Sequence, residues 1–194
     1  MNIVVMPVGA YQTNCYMVWG EGDTCVLIDP GYQAMELLGQ VQAQGKKLEA
    51  ILLTHGHFDH VGAVRDLVAE TDCKVYICKE ETALPEGLTA GKLYYSHTYD
   101  EGDTVQAAGL SFTVLRTPGH TPGGVCLLCG DAMFSGDTLF AGSIGRTDFP
   151  GGDWDTLRTS LSRLAALETD YRVFPGHGED TTLDFERKTN PYMK

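Results

Sequence analysis

The sequence predicts an α+β fold, an αββα sandwich of two β-sheets face to face with helices on both outer surfaces. Three observations lead there. Short apolar segments of strand length fall into two groups, one in each half of the chain. Amphipathic stretches at helical spacing accompany each group. No low-complexity segment or linker divides the 194 residues, so both halves are read as a single domain, 1–194.

The elements follow in order. The apolar stretch 1–8 lacks a basic leader and is broken by Pro7, so it reads as a first strand and not as a signal peptide. Segments 15–19 and 24–28 flank G-E-G-D at 20–23 and read as a hairpin. Residues 31–45 are helical in pattern, with Met35, Leu37, Leu38 and Val41 apolar. A buried strand is expected at 50–54, and a helix after it from the spacing of Val61, Val64, Leu67 and Val68. A strand at 74–78 comes next, and 84–99, rich in Gly, Thr and Tyr, reads as a long connection beside the site. The second half offers strands at 110–115, 125–129 and 132–135, a helix at 154–166 and a strand at 171–174.

Five of the six histidines sit in three short motifs that follow these strands. The first is T-H-G-H-F-D-H at 54–60, with His55, His57, Asp59 and His60. In an extended segment His55 and His57 leave the same side of the chain. Asp59 lies near a helix start, where an aspartate suits the cap and the helix dipole. His120 lies in T-P-G-H-T at 117–121, Asp137 in S-G-D-T at 135–138, and His177 in P-G-H-G at 175–178. That donor set is large enough for two metal ions, and three histidines with an aspartate in six residues is a dense signal for a metal site. Strand ends are rigid and the loops leaving them converge, so ligands distant in sequence can meet at one edge of a sandwich. Asp29, which ends its strand before Pro30, is a candidate acceptor for a ligand imidazole.

In this order, H-x-H-x-D-H, T-P-G-H-T, G-D-T and G-H resemble the metallo-β-lactamase-fold hydrolase superfamily, over most of the chain. G-D-T-L-F at 136–140, G-R-T-D-F-P-G-G-D at 145–153 and the ending N-P-Y-M-K at 190–194 are most similar to its short, single-domain, glyoxalase II-like branch. The resemblance implies the αββα fold. It implies one metal on His55, His57 and His120, and a second on Asp59, His60 and His177. Asp137 would bridge the two.

Composition sets limits. A formal charge of −12 argues against a nucleic-acid partner, and no apolar run is long enough to span a membrane. Cysteines at 15, 25, 73, 78, 126 and 129 are scattered, mostly within apolar runs, and read as buried reduced thiols in a cytoplasmic protein. Nothing in the sequence fixes an oligomeric state.

Imidazoles and carboxylates without a thiolate suit two divalent cations, Zn2+ first, with Fe2+ and Mn2+ also compatible. Two such cations outweigh two aspartates and a hydroxide, so the site would attract an anionic or polar carbonyl substrate. Metal-bound water ionises near neutral pH, which supplies a nucleophile without serine or cysteine. Asp59 is expected to orient that water and accept its proton. The expected substrate is a small acyl thioester of the hydroxyacylglutathione type.

Full-length glyoxalase II enzymes grip glutathione with a C-terminal helical domain, and with a Lys and a Tyr beside the metals. The nearest positions here are Arg146, a candidate for a substrate carboxylate, and Asp148, which does not replace an aromatic hydroxyl. Tyr94, Tyr95, His97 and Tyr99 are candidates to line the pocket, or ordinary packing residues. A competing resemblance is to the mononuclear iron persulfide dioxygenases. They share G-R-T-D-F, here at 145–149, and would hold iron on His55, His120 and Asp137. The chain departs from them at G-S-I, 142–144, and at P-G-H, 175–177. A non-catalytic metal-binding module would be favoured only if a ligand were missing, and none is.

Overall fold

Each half of the chain lays down one sheet, and the computed structural model describes residues 1–193. Lys194, the last residue of the N-P-Y-M-K ending, lies outside the described residues. The first half runs β1 (Asn2–Val8), β2 (Thr13–Trp19), β3 (Thr24–Ile28), α1 (Ala34–Ala43), β4 (Lys47–Leu53), α2 (Phe58–Val61), α3 (Val64–Thr71), β5 (Lys74–Cys78), a 3-10 turn (Lys79–Ala83) and β6 (His97–Tyr99). The second half runs β7 (Thr104–Ala107), β8 (Leu110–Arg116), β9 (Val125–Cys129), β10 (Ala132–Gly136), β11 (Leu139–Phe140), β12 (Ser143–Ile144), α4 (Trp154–Ala165), β13 (Arg172–Pro175), β14 (Thr181–Thr182) and α5 (Leu183–Thr189).

One sheet has the order β1-β2-β3-β4-β5-β6 and the other β14-β13-β10-β9-β8-β7. The hairpin is antiparallel, as its turn residues predict, whereas β3-β4 and β4-β5 are parallel pairs that need helical crossovers. Both faces of each sheet are therefore covered. Val18, Val26, Ile28 and Leu52 meet Phe112, Val114, Leu127 and Phe134 between the sheets. Leu37 and Val41 of α1, with Val64 and Leu67 of α3, cover Leu27, Ile51 and Leu53 on one outer face. Leu157, Leu161 and Leu164 of α4, with Leu183 of α5, cover Met133 and Val173 on the other. The expected four-layer αββα sandwich is the observed one. In β4, Glu49 is an extra residue opposite the Cys25–Val26 step, and it switches the strand's parity between Leu48 and Ala50.

Several elements differ from the sequence reading. The stretch 84–99 is not all connection: it ends in β6, parallel to β5. Tyr99 is buried between the sheets and donates its hydroxyl to the Leu53 carbonyl, so it lines no pocket. Tyr94 lies under the Arg65 guanidinium and His97 stacks on Tyr76, both as packing residues. The helix expected after Asp59 is two, α2 and α3. The backbone of Pro30 and Gly31 inserts at the break: a Cβ on Gly62 would meet the Gly31 oxygen at 2.3 Å, and Pro30 accepts the Ala63 amide. Met35, apolar at helical spacing, is exposed. Strands β7, β11, β12 and β14 and helix α5 were not expected, because each is four residues or fewer or, in α5, mostly charged. All six cysteines are buried and unpaired, and no helix of the described residues is long and apolar enough to cross a membrane.

The central layer also seats the loop that carries His177. Phe134 is fully buried, stacks on Phe174 at 5.4 Å and meets Tyr16 at 5.3 Å, and the Tyr16 hydroxyl donates to the Pro175 carbonyl at 2.6 Å. Phe134→Ala should therefore destabilise the protein by about 3–5 kcal/mol, the range for emptying a buried aromatic site. Chemical denaturation of metal-free protein measures it.

Candidate metal centre

Four strand ends deliver the donors. The loop after β4 carries His55, His57 and, in α2, Asp59 and His60. The loop after β8 carries His120, the turn after β10 carries Asp137, and the loop after β13 carries His177. The sheets are stitched together here: Val125 donates its amide to the Thr54 carbonyl at 3.0 Å, and Asn14 donates its amide to the Gly176 carbonyl at 2.8 Å. The backbones approach so closely that side chains are excluded. A Cβ on Gly176 would lie 2.2 Å from Asp137 Oδ1, and one on Gly31 would lie 1.6 Å from the Asp59 carbonyl oxygen.

All seven predicted donors converge. Ligand atoms of His55, His57 and His120 lie within 4.8 Å of one another, and so do those of Asp59, His60 and His177. Asp137 stands between the two groups: Oδ1 is 3.4 Å from His60 Nε2, and Oδ2 is 3.6 Å from both His120 Nε2 and His177 Nε2. Asp59 is not a helix cap. Its Oδ2 accepts the Thr13 hydroxyl at 3.0 Å and lies 3.3 Å from His177 Nε2. His57 takes the cap position instead and the helix begins at Phe58, so the first turn aims Asp59 into the site.

Four of the five imidazoles have one nitrogen held by a neighbour. His60 Nδ1 meets Asp29 Oδ2 at 3.0 Å, His120 Nδ1 meets the Arg146 carbonyl at 2.7 Å, and His177 Nδ1 meets the Tyr11 carbonyl at 3.2 Å. Carbonyls and carboxylates only accept, so each Nδ1 carries a proton, and each Nε2 is the atom left to face a cation. His55 follows through a relay. Thr54 donates its hydroxyl to Asp29 Oδ2 at 2.5 Å, so at 3.1 Å it accepts from His55 Nδ1. His57 is the exception: its Nδ1 faces His120 Nε2 at 2.9 Å.

Burial and electrostatics favour cations here. Burial, reinforced by the surrounding imidazoles, pushes His55 well below its ordinary value, and burial with His120 beside it takes His57 down to about 4. Those rings are neutral, as ligands must be. Burial works against ionised Asp137, yet the imidazoles of His60, His120 and His177 hold it well below the usual carboxylate range. His55 Nε2, His60 Nε2 and Asp137 Oδ1 are buried with no hydrogen-bond partner, an arrangement that costs free energy unless something else satisfies them. Divalent cations fit these orphaned atoms and this thiolate-free donor set.

The three-histidine side is sealed, with His55, His57 and His120 at most 5% exposed, whereas the His177 side chain is 28% exposed. Phe149 stands edge-on to His57 and Phe140 edge-on to His177. Arg146, the expected contact for a substrate carboxylate, is exposed and already paired. Asp148 receives its Nε and Nη2 at 2.7 and 2.8 Å, and the guanidinium lies 3.7 Å over the Phe149 ring. What Arg146 brings to the centre itself is its carbonyl, on His120. Asp29 does what the sequence suggested for it.

Sequence reasoning missed Thr13, Asn14 and Glu81. Asn14 donates its side-chain amide to the carbonyls of Pro175 and Gly178 at 3.0 and 2.9 Å and so fixes the His177 loop. The signal was a Thr-Asn pair opening an apolar strand, where both side chains are buried. Glu81 lay in a stretch without periodicity.

The family model of the metallo-beta-lactamase superfamily matches residues 8–177. The chain is 36% identical to hydroxyacylglutathione hydrolase GloC of Haemophilus influenzae, over all of this chain and 98% of that protein. The BLEG-1 B3 metallo-beta-lactamase superposes with a TM-score of 0.92 at 32% identity, covering 100% of both chains. A di-iron-bound form of TTHA1623 gives a TM-score of 0.86 at 44% identity, covering 97% of this chain and 99% of that one. With the fold, the donor motifs and these likenesses in agreement, the chain belongs to the metallo-beta-lactamase superfamily.

Proposed function

We propose that the protein is a dinuclear metallohydrolase of small acyl thioesters, similar in action to a hydroxyacylglutathione hydrolase. The observation that carries this reading is the pair of three-donor groups on either side of Asp137. The likeness to GloC over the full chain supports the thioester class. When bound, two divalent cations supply an ionised water near neutral pH and polarise an acyl carbonyl.

The chain's own residues do the rest. His55, His57 and His120 would hold one cation and Asp59, His60 and His177 the other, with Asp137 placed between the two groups. The carbonyls of Arg146 and Tyr11 and the Asp29 carboxylate fix which imidazole nitrogen carries a proton. Asp59 Oδ2 lies at the more open side and already accepts the Thr13 hydroxyl, which orients the carboxylate. It is placed to receive the proton of the attacking water and return it to the leaving thiolate. Phe149 and Phe140 flank the two halves of the centre and would exclude bulk water from the acyl group. Arg146 reaches a substrate carboxylate only by sharing its guanidinium with Asp148 or releasing it, which weakens that grip. The result is a broad enzyme with a modest hold on glutathione.

A mononuclear iron dioxygenase is the second reading. The G-R-T-D-F segment at 145–149 favours it, and a similar protein is known to bind iron, though as a pair of ions. The complete second donor group stands against it.

Metal content, turnover and KM test these assignments. Protein purified without chelator should carry about two divalent cations per chain by elemental analysis, as the paired donor groups require. A reproducible single iron, with oxygen uptake on a glutathione persulfide, would move the dioxygenase ahead. Asp137→Ala should loosen both cations. Asp59→Asn keeps the shape but removes a base, and should lower turnover by about 10²–10⁴-fold while leaving the three-histidine cation bound. Undiminished turnover in that variant would show that another group takes the proton. With S-lactoylglutathione, Arg146→Ala should raise KM and change kcat little, the pattern of lost uniform binding. If a truncated lactoyl thioester proved inert while the glutathione compound bound tightly, a dedicated glutathione pocket would have to exist.

A further inference from the structure

Glu81 is a fully buried carboxylate that the chemistry above does not use. It lies in the 3-10 turn after β5, and its two oxygens point in different directions. Oε2 accepts the amide of Gly56 at 2.7 Å, and Oε1 accepts the amide of Gly123 at 2.7 Å. Gly56 is the single residue between His55 and His57. Gly123 follows His120 in the same loop, and that loop is held again where Arg116 donates to the Pro122 carbonyl at 3.1 Å. The two amides are thus donated by loops from different sheets, and the carboxylate is the group that both share.

The fit is close. A Cβ on Gly123 would lie 2.9 Å from Glu81 Oε1 and 2.9 Å from the Glu81 backbone nitrogen, and a Cβ on Gly56 would lie 3.3 Å from Oε2. Glycine at both places lets one side chain press against two backbones. The chemistry of the bridge is also specific. An ionised carboxylate offers acceptors on both sides, whereas an amide of the same shape must turn an NH2 group toward one of the two N–H donors. Burying that clash costs more than the lost hydrogen bond alone.

We propose that Glu81 is a positioning residue for the three-histidine group, joining the backbone between His55 and His57 to the loop of His120 and setting the spacing of those imidazoles. This rests on the reading of these histidines as ligands of one cation. The Asp59–His60–His177 group has different supports, Thr13, Asp29 and Asn14, none of which is hydrogen-bonded to Glu81. Glu81 therefore acts on one half of the centre.

The test is a Zn2+ titration of metal-free protein in competition with a chromogenic chelator, on wild type, His177→Ala, Glu81→Gln and Glu81→Asp. The binding step lost in His177→Ala marks the Asp59–His60–His177 group, and the step retained marks the three histidines. Glu81→Gln is expected to weaken the retained step by about tenfold to hundredfold, the usual effect of removing an outer support of metal ligands, and to leave the other step nearly unchanged. Glu81→Asp keeps an acceptor-only group one methylene shorter and should fall between wild type and Glu81→Gln. Wild-type affinity at both steps in the two Glu81 variants overturns the proposal, and so does equal weakening of both steps. If Glu81→Gln fails to fold, Glu81→Asp decides by the same comparison. Failure of both to fold makes Glu81 a determinant of the fold and also overturns it. A wild-type protein that takes up no Zn2+ would instead refute the metal reading itself.

Discussion

One buried carboxylate organises the centre. Asp29, at the end of β3, accepts the Thr54 amide at 2.8 Å and the Thr54 hydroxyl at 2.5 Å, and meets His60 Nδ1 at 3.0 Å. It reaches them with φ +52, a left-handed backbone that aspartate tolerates better than most residues. From this point the geometry spreads in two directions. Through His60 it touches the open donor group, and through the Thr54 hydroxyl it fixes His55 in the sealed one. Strand order makes this possible, because β3 and β4 are parallel neighbours and end side by side.

Crowding is the second constraint. Bringing imidazoles and carboxylates from four strand ends together needs backbones nearly in contact. Gly31 lies against Asp59 and Gly176 against Asp137, where any Cβ would overlap atoms of the donor residues. Where backbones come this close there is no room for side-chain packing, and hydrogen bonds between loop backbone and Asn14, Tyr16 and Glu81 take its place: the first two donate and Glu81 accepts. Each of these supports is a buried polar group with its own partner.

Much of this was legible in the sequence, and the boundary of legibility has a physical cause. Strands such as β9 and β5 announce themselves by continuous apolar character, and the donors by their density at 54–60. Local chemistry writes both signals. What was illegible depends on partners far along the chain. Strand β6 is three residues long and exists because β5 offers it an edge. Asp59 had the look of a helix cap, but its orientation is set by Thr13 and His177, 46 and 118 positions away. Arg146 was singled out by its place in a motif, yet Asp148 two residues on engages its side chain, while its carbonyl serves His120. A motif specifies which residues are present, and tertiary contacts decide which of their atoms are used.

The asymmetry of the centre follows from the same contacts and bears on how a substrate would enter. His55, His57 and His120 are sealed beneath the loops that Glu81 joins, with Phe149 standing edge-on to His57. On the other side, His177 is the most exposed donor, carried by a loop tied to β2 through Asn14 and Tyr16. On the proposed reading, an acyl group would approach past His177 and Phe140, with Asp59, the proposed proton acceptor, on its path and the sealed histidines behind the carbonyl. Strong charge pairing at the rim is scarce on this route, because Arg146 is already neutralised by Asp148. Under that reading, discrimination between thioesters would fall to the shape of the aromatic walls and to the reactivity of the acyl carbon. A thioesterase so arranged would gain rate from activating water and little from gripping the leaving thiol.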